Sequence, residues 1–131
     1  MELNTKLLDE LTAKAQASPR LRMNLDLRTS ADDKSQRMLN ALEPGTVVPI
    51  HRHTKSTEVF VVLRGSGIHH VYDDSGKEIE AIPVAAGGPC PGYSVPVGQW
   101  HRLESLESGT IIFEAKDGAY EPLAPEDVKN I

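Results

Sequence analysis

Beyond residue 20 the chain is cut into short apolar runs by glycine and proline, and that rhythm constrains the fold more than any other feature. The runs are Gln36–Leu42, Val47–His53, Glu58–Arg64, Gly67–Tyr72, Glu78–Val84, Trp100–Leu106 and Thr110–Glu114. Between them lie Pro44-Gly45, Gly65-Ser66-Gly67, Asp73-Asp74-Ser75-Gly76, the Gly87–Gly92 stretch, Pro96-Val97-Gly98 and Ser108-Gly109. Runs of this length fit one strand each, and many short strands joined by Gly/Pro turns predict an all-β barrel or sandwich. Arg20–Arg28 precedes them with strict alternation: Leu21, Met23, Leu25 and Leu27 against Arg20, Arg22, Asn24, Asp26 and Arg28. That is the pattern of a half-buried strand. Only the N-terminus departs, where Thr5–Ala17 gathers Leu7, Leu8, Leu11 and Ala15 on one helical face. Asn4 caps this predicted helix, Glu10 and Lys14 are spaced to pair, and Ser18-Pro19 stops it.

The 131 residues predict one domain, residues 1–131, with the helix at about 5–17 and the barrel at about 20–120. No repeat, low-complexity tract or linker divides it. Fourteen basic against nineteen acidic residues give a net charge of −5, which disfavours nucleic acid and anionic membrane as partners. The longest apolar run, Val59–Leu63, is far short of a membrane span, and Glu2, Asp9 and Glu10 interrupt the start, unlike a signal peptide. A single cysteine, Cys90, cannot form an internal disulfide and sits in a Gly/Pro loop as a quiet thiol. Together these predict a cytoplasmic protein.

Five histidines carry the chemistry: His51 and His53 one residue apart, His69 and His70 adjacent, and His101 alone. Residues i and i+2 of a strand face the same way about 6.6 Å apart, so two imidazoles can share a cation at about 2.1 Å per bond. Glu58 opens the next run and His101 follows a turn, so either could complete such a site. An H-x-H pair alone more often marks an exposed polar face. Here the pair stands in a frame: Gly45, five residues, His51-Arg52-His53, four residues, Glu58, six residues, Gly65. This matches the first motif of the cupin superfamily, G-x5-H-x-H-x4-E-x6-G. Pro96-Val97-Gly98-Gln99-Trp100-His101 resembles the core of its second motif, P-x-G-x2-H. Two departures stand beside it: Gly92 lies only three residues before Pro96, and Ser105 occupies the usual Asn position.

The resemblance implies a single small jelly-roll barrel in which His51, His53, Glu58 and His101 hold one divalent transition metal, whether Fe, Zn, Ni, Mn or Cu. Three imidazoles and one carboxylate leave two positions open on an octahedral ion, as catalysis requires. Since ligating imidazoles must be neutral, occupancy should fall as pH drops through about 6 to 7. A narrower likeness joins Ser18–Asn24, Gln36–Gly45 and Phe113–Gly118 to the WbuC family of cupin-fold metalloproteins, often found among genes for surface polysaccharides. Pairing of small cupins through strand edges implies a homodimer.

Arg22 and Asn24 share a polar strand face that is either solvated or lines the barrel mouth. In the mouth, Arg22 could clamp a carboxylate or phosphate and Asn24 bind a sugar hydroxyl. Of His69 and His70, alternation sends one inward, as a proton donor or acceptor or as a hydrogen-bonded barrel histidine. Tyr120 could stack on a sugar ring, whereas Arg64 and Lys116 read as surface residues and Trp100 as core. Dinucleotide fingerprint, nucleophile elbow and P-loop are all absent from the sequence. Three functions stay open for a small-molecule ligand. They are a metal-dependent isomerase or epimerase acting on a small carbohydrate or nucleotide sugar, an Fe(II) oxygenase, and a binding module without turnover.

Overall fold

Turn chemistry and alternation resolve the described residues into one α-helix, ten strands and a single 3-10 turn at Pro125–Asp127; the computed structural model describes residues 1–129. The helix α1 spans Thr5–Ala17, as predicted. The strands are β1 (Arg22–Asp26), β2 (Ser35–Leu42), β3 (Ile50–His51), β4 (Glu58–Arg64), β5 (Ser66–Tyr72), β6 (Glu78–Ala85), β7 (Gly92–Val95), β8 (Trp100–Ser105), β9 (Ile111–Asp117) and β10 (Val128–Lys129). They form two antiparallel sheets, ordered β1-β2-β9-β4-β7 and β10-β3-β8-β5-β6. This is the β-rich jelly roll with an N-terminal helix that the sequence predicts.

Period-two alternation gives the first sheet two buried faces. Its inner face sets Leu42, Phe60, Val62 and Ile112 against Val84 and Leu103 of the second sheet. Its outer face puts Leu39, Ala41 and Ile111 beneath Leu11 and Ala15 of α1. Ala41 and Leu42, adjacent on β2, therefore serve different cores, each full burial of a Leu contributing about 2 kcal/mol. Asn4 caps α1 by accepting from the Leu7 N–H at 3.0 Å. The intrahelical ion pair is Lys6–Glu10 at 4.0 Å, not the expected Glu10–Lys14. Arg64, expected to be a surface residue, ties the helix to the barrel by donating to Asp9 at 2.6 Å, Thr12 at 2.9 Å and the Gly109 carbonyl at 2.9 Å. Gly65, the last residue of the first motif, has φ +87°, and a Cβ there would lie 2.7 Å from Thr110 Cα. No other residue fits.

Four elements differ from expectation by more than a residue at an end. β1 starts at Arg22 because Leu21 takes a left-handed conformation, φ 56°, in the turn from α1. β3 shrinks to two residues because Pro49 has no N–H and the Arg52 N–H turns to the Asp127 carbonyl, 3.1 Å away. β7 starts on Gly92, the last residue of the expected Gly87–Gly92 turn, and fills the unassigned residues before Pro96. β9 runs three residues past Glu114, to Asp117. No helix among the described residues is long and apolar enough to cross a membrane.

Candidate metal centre

The two sheets bring four distant donors to one point. His51 and His101 are direct partners in the β3–β8 ladder, His53 lies two residues beyond His51, and Glu58 opens β4 on the facing sheet. Ring centroids lie 4.4 Å apart for His51–His101, 5.0 Å for His51–His53 and 5.8 Å for His53–His101. One donor atom from each of the four residues lies within 4.8 Å of the others.

Glu58 Oε2 stands 3.4 Å from both His53 Nε2 and His101 Nε2, and all three atoms are buried with no hydrogen-bond partner. Burying unpartnered polar atoms is costly, so several aimed at one centre call for a shared ligand. His51 places Nδ1 2.8 Å from the Pro49 carbonyl. With Nδ1–H donating there, its Nε2 keeps a free lone pair, the tautomer a metal-ligating imidazole needs. The donor set fits a divalent first-row ion, and the choice among them is open.

Burial also sets the protonation of these rings. Desolvation, the main cause, lowers His51 and His53 to about 4 and His101 to about 2; Lys116 adds to it at all three, and neighbouring rings add to it at His51 and His101. The rings are therefore neutral well below pH 6. The expectation that protons would displace a metal near pH 6 to 7 is corrected downward.

His69 is the inward member of the adjacent pair. It is fully buried, 5.2 Å from the His101 ring and 4.2 Å from Tyr93. Its Nε2–H donates to Gln99 Oε1 over a long 3.5 Å, and its Nδ1 has no partner. Burial lowers it to about 4. His70 points to the opposite face of β5, where Nδ1 meets Glu78 and Nε2 meets Glu104 at 2.8 Å. Its candidacy as a catalytic residue is withdrawn on that geometry.

The donors and His69 line a cavity of about 140 Å³, which continues outward into a groove of about 720 Å³. Arg22, His51, His53 and Lys116 line both spaces. The Arg22 Nε is buried without a partner, and burial lowers the guanidinium from its ordinary value. Asn24, expected beside it, is exposed and lines neither space; it lies two residues farther along β1 than Arg22. Tyr120 is exposed, lines only the outer groove, and has the Arg28 guanidinium 5.7 Å from its ring centre.

Sequence reasoning missed Asn40 and Glu114 and undervalued Lys116. Ending the strand at Glu114 hid the continued alternation Ile112, Glu114, Lys116, which points inward along β9. Asn40 Nδ2 donates to Glu114 Oε1 at 2.6 Å. Loss of solvent, with the charge of the Glu58 carboxylate on neighbouring strand β4 next in size, pushes Glu114 up to about 8. Cys90 packs against the core and donates to the Gly92 carbonyl at 3.3 Å.

Comparison with known proteins agrees with this architecture. Residues 3–84 match the family model described as Domain of unknown function (DUF6016). Over 74 residues the chain is 32% identical to a Thermotoga maritima protein named Oxalate-binding protein, covering 56% of this chain and 54% of that one. The chain thus spans about half the length of this curated relative. Among solved structures, the capsular polysaccharide assembling protein CapF from Staphylococcus aureus superposes with a TM-score of 0.68 at 21% identity, covering 87% of this chain and 32% of that one. An oxalate oxidase in complex with the substrate analogue glycolate gives 0.66 at 17%, covering 83% and 57%. KdgF from Halomonas sp. gives 0.62 at 13%, covering 79% and 84%. At these identities the likeness is one of fold, and the fold is that of the cupins.

Proposed function

The chain belongs to the DUF6016 family, whose description assigns no activity, and from its own residues we propose a metal-dependent enzyme acting on a small carbohydrate or nucleotide sugar. The observation that carries the reading is the convergence of His51, His53, Glu58 and His101, three of whose donor atoms are buried with nothing to bind. These four residues would hold a divalent ion, which when bound polarises a carbonyl or hydroxyl oxygen. The remaining chemistry belongs to side chains. With Nε2–H turned to Gln99, His69 Nδ1 is the free lone pair that accepts a proton from the substrate and returns it, as isomerisation or epimerisation requires. Arg22 binds substrate at the neck of the cavity, and Tyr120 offers an aromatic face to the part left in the groove. The WbuC likeness supports a role in surface polysaccharide metabolism, with a homodimer as the working unit.

Solvent deuterium tests the reading. Protein loaded in turn with Fe(II), Ni(II), Zn(II) and Mn(II) is incubated with nucleotide sugars and sugar acids in D₂O and followed by NMR. Exchange of a substrate C–H, lost in His69→Gln with metal content unchanged, is the expected result. Oxygen uptake by the iron form would replace the reading with an oxygenase. Tight ligand binding with no exchange and no turnover would leave a binding module, a reading favoured by the relative named Oxalate-binding protein.

A further inference from the structure

Four cationic side chains line the outer groove: Arg22, Arg52, Lys55 and Lys116. Two of them are already matched. Arg52 Nε meets Asp127 at 2.8 Å, and Lys55 Nζ meets Glu121 at 2.8 Å. Arg22 and Lys116 form no ion pair among the described residues, and they are the two that also line the inner cavity. The cavity's own carboxyl groups form no ion pair with them among the described residues, although the Glu114 charge acts on Arg22 from a distance. Glu58 faces His53 and His101, and Glu114 accepts from Asn40. Arg22 adds an atomic observation: its Nε, a strong donor that water would ordinarily satisfy, is buried without an acceptor.

We infer that the ligand carries an oxyanion, a carboxylate or a phosphate, received by Arg22 with Lys116 supplying a second positive charge at the same neck. A guanidinium fork suits either anion, and a charge-assisted hydrogen bond is about twice as strong as a neutral one. The anion sits where the cavity opens into the groove, so the group beside it reaches the imidazole cluster. This narrows the substrate class to acidic or phosphorylated small molecules. It rests on the metal-dependent reading for the identity of the inner site, but not for the anion subsite.

Calorimetric titration of the zinc-loaded chain with glucuronate, glucose 1-phosphate and glucose tests it, repeated on the metal-free chain and on Arg22→Gln and Lys116→Gln. At least one of the two anions should bind about tenfold or more tighter than glucose. Arg22→Gln should abolish that preference and Lys116→Gln weaken it, with zinc content unchanged in both. Whichever anion shows the preference identifies the group. Equal binding of charged and neutral sugars, no binding of either anion at millimolar concentration, or a preference untouched by both substitutions overturns the inference. A preference that persists on a chain unable to hold Fe(II), Ni(II), Zn(II) or Mn(II) supports the anion subsite while sinking the metal-dependent reading.

Discussion

His69 and His70 stand next to each other on β5, and strand alternation sends one ring into the barrel and the other onto its outer face. Both are buried, yet their nitrogens meet opposite conditions. His70 has a carboxylate at each nitrogen, whereas His69 Nδ1 has nothing. The contrast extends to the surroundings. Among the described residues, the buried side-chain atoms without a partner are Arg22 Nε, His53 Nε2, Glu58 Oε2, His69 Nδ1 and His101 Nε2. Every one belongs to a residue lining the inner cavity. Folded proteins pair nearly all buried polar groups, so a single cavity holding all the exceptions is a place built for something else to complete. Burial alone does not mark the site; burial without pairing does.

Metal affinity should break along that line, and this is the largest effect expected. Glu58→Gln and His101→Ala each remove a donor and should weaken metal binding by about 100-fold or more, since even supporting residues around a metal cost 10- to 100-fold. His70→Gln should leave affinity unchanged, as read by elemental analysis and competition with a chelator. In the wild type, metal at 100 times its dissociation constant adds about 2.7 kcal/mol of stability, so chelation lowers the melting temperature. Equal metal loss from His70→Gln would erase the distinction between the faces.

The pH dependence of the metal-free chain sharpens the contrast at an intermediate scale. His51, His53 and His69 lie at about 4 and His101 at about 2 when folded, against 6.5 unfolded. As pH falls below about 6.5 the unfolded chain takes up protons that the folded chain refuses, so stability is lost toward acid. Each ring contributes at most about 1.4 kcal/mol per pH unit. Glu114 runs the other way: raised from 4.5 to about 8, it stabilises the fold while protonated and loses that contribution as pH rises through about 8. Four groups oppose one below 6.5, and Glu114 acts alone above it. Urea unfolding of the metal-free chain should therefore show a stability maximum near pH 6.5, with an acid limb that His69→Gln makes shallower. A maximum well below pH 6 would mean that the interior rings are not desolvated as the geometry has them.

The same opposition explains what could be read in the sequence. Helix α1, β4 and the four donors were legible because local signals agree: a cap and a stop for the helix, turn glycines around β4, and a spaced motif for the donors. Gly65 was legible for the same reason, since its close approach to Thr110 leaves only one choice. Asn40, Glu114 and Lys116 were not. A polar tail on a strand looks the same whether it faces water or a polar cavity, so β9 read as ending where its polar residues line the cavity. The choice between His69 and His70 also lay outside the sequence, because alternation shows that two neighbours part without showing which one faces the facing sheet. Nor did alternation show that Asn24, on the same strand face as Arg22, would lie outside both spaces.

The smallest effect belongs to the outer face. His70→Gln gives up contacts with Glu78 and Glu104, whose side chains remain 45% and 44% exposed. Water screens charges placed that way, and exposed pairs contribute about 0–1 kcal/mol each. The substitution should therefore cost about 1 kcal/mol in urea unfolding, with metal content intact. A double-mutant cycle with Glu104→Gln isolates the His70–Glu104 share. A loss of about 3 kcal/mol or more would mean that the outer ring anchors a desolvated network, and that pairing has not made this face energetically quiet. A cost near 1 kcal/mol leaves the missing partners inside the barrel as the difference that matters between two adjacent histidines.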